Sequence, residues 1–147
     1  TFGDGYTYSA HPVPAAVALE TLKIYEERDM IGHVRRMSPH FLGGLRKRFA
    51  DHPLVGEVRG VGLIAAVELV ADKATKAPFN PAGKVGAYLT ARAQEHGLIQ
   101  RAMGDAIGFC PPMIITEGEI DKLLDRFGKS LDHTAAWVRQ EGLQKAA

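Results

Sequence analysis

"LVGEVRGVGLIAAVELV", Leu54 to Val70, is the stretch on which the fold turns. Its Gly60, Gly62 and Ala65 satisfy the loose dinucleotide pattern G-x-G-x-x-A, which requires a helix starting at the loop so that its amino end can face a pyrophosphate. The residues that follow, "LIAAVELV", read as strand instead, so the glycine pair marks a tight turn between two short strands. Two further apolar runs, "LIQRA" and "AIGFC", joined by a turn at Gly104 and Asp105, supply the rest of a small sheet. Pro111 and Pro112 end it, because proline cannot donate to a ladder.

Helical periodicity surrounds these strands. Pro12 and Pro14 head a helix over roughly Val13 to Arg28, where first-turn amides have no partners to lose. Its apolar residues, among them Val13, Val17, Leu19 and Leu22, run almost all round, a pattern that implies packing against more protein than this chain supplies. A second helix carries Met30, Val34, Met37, Phe41, Leu45 and Phe49 on one stripe; Pro39 is expected to kink or split it, with Ser38 available as a cap. "ADKATKAPFNPAGK" is a polar loop, after which Val85, Tyr88, Leu89 and Ala93 mark a helix stopped by Gly97. Thr116 with Glu119 forms a capping box for a last helix bearing Ile120, Leu124, Phe127 and Leu131. The tail after Gly142 is expected to fray. The expected fold class is α/β, of the small α+β kind: a sheet of about four short strands covered by helices and preceded by a long helix.

With 147 residues the chain is long enough for one domain. Its 18 Lys plus Arg against 17 Asp plus Glu offer no electrostatic footprint for nucleic acid or an acidic membrane surface. No apolar run approaches the roughly 20 residues of a spanning helix, and no basic-then-apolar signal opens the chain. Neither a nucleic-acid nor a membrane partner is expected. The single cysteine, Cys110, fits a reducing compartment, the cytoplasm by default. Thr1, with no methionine before it, is expected to be a cut inside a longer sequence.

Most polar residues read as structural. The six histidines show no H-x-x-x-H spacing and no cysteine near enough for a zinc site, so no metal is expected. Ser9 and His11 lack a G-x-S-x-G elbow and read as a turn serine and a packed histidine. Cys110, between an aromatic and two prolines, reads as a buried structural thiol. Two features remain. Arg101, at the end of the strand in "GLIQRAMGD", can fork onto a carboxylate or phosphate, or be an ordinary surface arginine. Thr7, between Tyr6 and Tyr8 and behind Gly3 and Gly5, suits a phosphate dianion or plain turn duty.

The succession "GYTYSAHPVPAAVALETLKIYEE", "HPLVGEVRGVGLIAAVELV" and "GLIQRAMGDAIGFCPPMIITEGEID" resembles the carboxy-terminal part of class III aminotransferases, over nearly the whole chain. These are fold type I enzymes dependent on pyridoxal 5'-phosphate; the likeness is greatest to the omega-transaminase branch, which pairs amines or omega-amino acids with pyruvate. The resemblance implies a homodimer with residues 1–11 as interface and phosphate-binding loop of a large domain, 12–28 as interdomain helix and 29–147 as small domain. It assigns Tyr6 and Thr7 to the cofactor phosphate of the partner subunit, Arg101 to the substrate carboxylate, and Arg59 to a structural role. The family's usual "SGHP" is "SAHP" here, so Ala10 is expected to exclude a backbone conformation only glycine tolerates.

The family's imine-forming lysine lies upstream of the segment resembling Gly5 to Pro12. None of Lys23, Lys47, Lys73, Lys76, Lys84, Lys122, Lys129 and Lys145 has that context, so no catalytic residue is assigned. The resemblance therefore implies a fragment, inactive alone, of a transaminase moving an amino group from an amine or omega-amino acid to a keto acid such as pyruvate. The alternatives are a mutase or decarboxylase using the same cofactor, or a free-standing α/β module that grips a carboxylate or phosphate through Arg101.

Overall fold

The computed structural model describes Gly3 and residues 5–143; Thr1 and the tail from 144, including Lys145, lie outside the described residues. The elements are α1 (Pro12–Glu27), α2 (Met30–Phe49), β1 (Val55–Val61), β2 (Ile64–Leu69), α3 (Lys84–Glu95), β3 (Arg101–Met103), β4 (Ala106–Phe109) and α4 (Glu117–Gln140). The sheet has the order β1-β2-β4-β3 and every neighbouring pair is antiparallel.

Both hairpins are set by a glycine. Val61 pairs with Ile64 and Met103 with Ala106, leaving two-residue loops whose first residues, Gly62 and Gly104, have φ of 61° and 64°. A positive φ at the first central position is what a type II′ turn needs, and that turn matches the twist of the strands it joins. The strand reading of Leu54 to Val70 holds, and no helix begins at the glycine pair.

Alternation along β2 and β4 sends Ala65, Val67, Leu69, Ile107 and Phe109 to one face, where all are buried. Phe41, Leu45 and Phe49 of α2 and Ile120, Leu124, Phe127 and Leu131 of α4 join them in a single core. Phe127 meets Phe49 and Phe109 edge-on, each with ring centroids 5.0 Å apart. The capping box at Thr116 is formed in full.

Two expectations change. Pro39 does not split α2, which runs unbroken through it, and Ser38 lies inside the helix rather than at an end. A mid-helix proline costs about 3 kcal/mol. Burying Phe41, Leu42, Leu45 and Phe49 on the turns that follow outweighs this, at about 1.5–3 kcal/mol for each large side chain. The helices cover only one face of the sheet; Val61 and Ile64 on the other are 76% and 62% exposed. α1 buries no residue at all, as its all-round apolar surface foreshadows.

The start of α3 is capped from a distance. Gly83 has no side chain to cap with, and the Asp105 carboxylate in the β3–β4 turn accepts the amide N–H groups of Gly83 and Gly86 at 2.7 Å each. That contact ties the hairpin carrying Arg101 to the helical layer.

Candidate functional site

The register sets the site. Arg59 pairs with Ala66, Ala66 with Gly108, and Gly108 with Arg101, so one row crosses all four strands with an arginine at each end. Directly paired residues share a face; this row lies on the face the helices leave open. Three interstrand steps put the arginine backbones about 14 Å apart, and the small Ala66 and Gly108 leave the floor between them low. A cavity of about 1150 Å³ opens over this row, lined also by Ile64, Met103 and Lys122.

The two arginines differ in their neighbours. Arg59 donates to Glu68 at 2.9 Å and lies 3.5 Å from Glu57, so its charge is met within the sheet, as its structural assignment requires. The Arg101 side chain is exposed and has no hydrogen-bond or ion-pair partner among the described residues. It stands at the first residue of β3 rather than at a strand end before the turn. Arg126, also lining the cavity, donates to the Gly97 carbonyl at 2.7 Å. The Glu119 carboxyl at the rim is held below the usual carboxylate range by the Thr116 amide and hydroxyl, so its charge serves the α4 cap.

Tyr6 and Thr7 do not line this cavity. They sit in a turn closed by the Ser9 amide donating to the Tyr6 carbonyl at 2.9 Å and the Tyr6 amide donating to Ser9 Oγ at 2.9 Å. Ser9 is thus the turn serine expected. The Tyr6 amide is consumed, while the Thr7 hydroxyl and the amides of Thr7 and Tyr8 have no partner among the described residues. Three donors gathered on one exposed turn fit a phosphate dianion, which takes several charge-assisted hydrogen bonds at once. Among the described residues no three His, Cys, Asp or Glu side chains gather as a metal site.

Three site expectations are corrected. Ala10 does not exclude the glycine-like conformation: it adopts it, at φ 59°, with the strain carried by an L-residue there. His11 is not packed; it is exposed and caps α1, its Nδ1 accepting the Val13 amide at 3.3 Å. Cys110 is exposed and lines the cavity, because alternation that turns Phe109 inward turns the next residue out. Sequence reasoning missed the Asp105 cap altogether; an acid in a turn gives no sign of a helix start many residues away.

The sequence pattern of the family "Aminotransferase class-III" matches residues 1–131. A gamma-aminobutyrate transaminase of Solanum lycopersicum, named as chloroplastic, is 48% identical over 145 residues, which is 99% of this chain and 28% of that protein. A mitochondrial gamma-aminobutyrate transaminase of Oryza sativa subsp. indica is 45% identical over 95% of this chain and 27% of its own length. Among solved structures, the omega transaminase of Pseudomonas jessenii in complex with PMP superposes with a TM-score of 0.86 at 54% identity, covering 92% of this chain and 30% of that one. The chain spans roughly three tenths of the length of the relatives it matches. Pattern, relatives and superposition agree with the hairpins and helices described above, and the chain belongs to the class III aminotransferases.

Proposed function

We propose that this chain is the carboxy-terminal part of a transaminase that moves an amino group from an amine or omega-amino acid to a keto acid such as pyruvate, and that it contributes to two active sites. The observation that carries the reading is Arg101, a cation without a partner among the described residues, over an apolar cavity on the open sheet face. A guanidinium there forks onto a substrate carboxylate. Ile64 and Met103, exposed on this face, make the surroundings of that pair apolar and strengthen it once the face is covered in the whole enzyme. Thr7 holds the cofactor phosphate of a partner subunit through its hydroxyl and the turn amides. Pyridoxal phosphate, the cofactor of this family, supplies the electron sink for the carbon bearing the amino group.

In this reading residues 1–11 are the interface loop, 12–28 the interdomain helix and 29–147 the small domain of a homodimer. The unburied apolar surface of α1 supports a covered position for it in the whole enzyme. For location the reading keeps the cytoplasm, on cysteine usage.

The test is made in the full-length enzyme. Arg101→Ala should weaken turnover of carboxylate-bearing acceptors by about 10- to 150-fold, the equivalent of the 1.5–3 kcal/mol of a hydrogen bond to a charged group, and leave simple amines much less affected. Equal losses for both substrate classes reject the role. Thr7→Ala should loosen cofactor retention, and unchanged affinity removes Thr7 from the site. Release of a keto product separates transamination from the mutase and decarboxylase chemistries.

A further inference from the structure

We propose that His96 and His133 form a two-ligand site for a divalent transition-metal ion of the zinc, nickel or copper kind, clamping the end of α3 to α4. His96 Nε2 lies 3.1 Å from His133 Nδ1, with ring centroids 5.0 Å apart and the rings inclined at 42°. Two imidazole nitrogens sharing one ion at about 2.0–2.1 Å each must stand roughly 2.9–3.4 Å apart for bond angles between square and tetrahedral. The observed separation falls inside that window.

The backbone holds both rings in place. His96 caps α3, its amide donating to the Arg92 carbonyl, and Gly97 then turns the chain at φ 76°. The Arg126 guanidinium of α4 fixes that turn through the Gly97 carbonyl at 2.7 Å. His133 stands one helical turn before Trp137, which stacks on Tyr88 of α3 with centroids 4.0 Å apart and planes 7° from parallel. The helices are thus pinned on both sides of the pair, the preorganisation a ligand site needs.

In the ion-free pair one ring N–H faces the other ring's lone pair. An ion takes both lone pairs, with the protons on His96 Nδ1 and His133 Nε2; this is a change of tautomer between neutral rings and needs no net proton release. The exposed rings rotate slightly to aim both lone pairs at one point. No third His, Cys, Asp or Glu joins the two among the described residues, so water completes the shell and binding is modest. A ligand set of imidazoles selects zinc, nickel or copper over magnesium and calcium. The clamp sits where the chain leaves α3 for Arg101, the residue on which the carboxylate role rests.

The experiment uses the full-length holoenzyme in phosphate-free buffer, with equilibrium dialysis against Zn²⁺ and Mg²⁺ for wild type, His96→Gln and His133→Gln. Any ion taken by the cofactor is common to all three proteins and cancels in the comparison. Wild type should retain one more Zn²⁺ per chain than either variant, with no difference for Mg²⁺. Bound Cu²⁺ should show coupling to two imidazole nitrogens by electron paramagnetic resonance in wild type only. Equal Zn²⁺ stoichiometry in all three proteins overturns the site, as does loss in one variant alone or two-nitrogen coupling that survives both substitutions.

Discussion

Asp105→Ala should unfasten the first turn of α3 while leaving its core face intact. The carboxylate accepts two amides, Gly83 and Gly86, at 2.7 Å each, and the helix has no cap of its own because the residue at that position is glycine. Loss of an ordinary N-cap costs about 1 kcal/mol, and a hydrogen bond to a charged acceptor is worth about 1.5–3 kcal/mol. The two contacts share one carboxylate and are not additive, so the expected loss is about 2–3 kcal/mol, or roughly 30- to 140-fold in the local opening equilibrium. Native-state hydrogen exchange over residues 83–89 reads this directly, since amides at the helix start exchange through local opening. Asp105→Asn keeps one carbonyl acceptor and should fall between wild type and alanine. Gly86→Ala attacks the same joint from the other side: a Cβ there would stand 2.2 Å from the Gly104 carbonyl oxygen, forcing the turn and helix apart without touching the carboxylate. Wild-type exchange rates at the Gly83 and Gly86 amides in Asp105→Ala would refute the capping argument, because no other acceptor meets those two among the described residues.

Four further outcomes are open to measurement. Burial holds the His52 imidazole below its usual pKa, against the pull of Asp132, and its Nδ1 accepts the Leu54 amide at 3.2 Å; a depressed base costs stability as pH falls from the ordinary histidine value through the folded one, and NMR titration should show the low midpoint. Glu119, lowered by its bonds from Thr116, works the other way about for an acid: its contribution is complete at neutral pH and is lost as pH falls through the depressed value, so Glu119→Gln should flatten the acid limb of a stability profile. Ala10→Gly should stabilise the loop by up to about 1 kcal/mol, the relief at φ 59° less the added chain entropy, and a lower melting temperature would contradict the strain. Met103→Glu places a carboxylate two residues from Arg101 on the same face, as Glu57 stands to Arg59, and should blunt turnover of acid acceptors in the full-length enzyme while sparing amines.

What the sequence discloses follows the range of the interaction. Gly62, Gly104 and the Thr116–Glu119 box act within a few residues, so hairpins and the last helix start are readable directly. Pro39 misleads because the rule that breaks helices at proline omits the packing of Phe41, Leu42 and Leu45 against other elements. Cys110 misleads because its aromatic and proline neighbours suggest burial, whereas strand alternation sets its side: Ile107 and Phe109 point in, so position 110 points out. Asp105 with Gly83, and His96 with His133, are pairs made by topology across a helix–hairpin joint and a helix–helix joint. No motif spacing contains them, and the absence of H-x-x-x-H said nothing about two histidines brought together from separate helices.

Register and neighbouring acids separate Arg101 from Arg59. Both occupy one cross-strand row, both stand on edge strands and both face the open side. Arg59 has Glu57 on its own strand and Glu68 on the next, placed on its face by the period of two and by the register that pairs Arg59 with Ala66. Arg101 has Met103 and Ala106 in the corresponding places. A slip of one residue in β3 would send Arg101 into the helical core and Ala102 out, and the glycine turn at 104, itself held to α3 by Asp105, is what forbids that slip. That the Arg101 side chain has no partner among the described residues is therefore a product of register plus the absence of acids from a few positions, both written in "RAMGDAIGF" but separable only once the pairing is known.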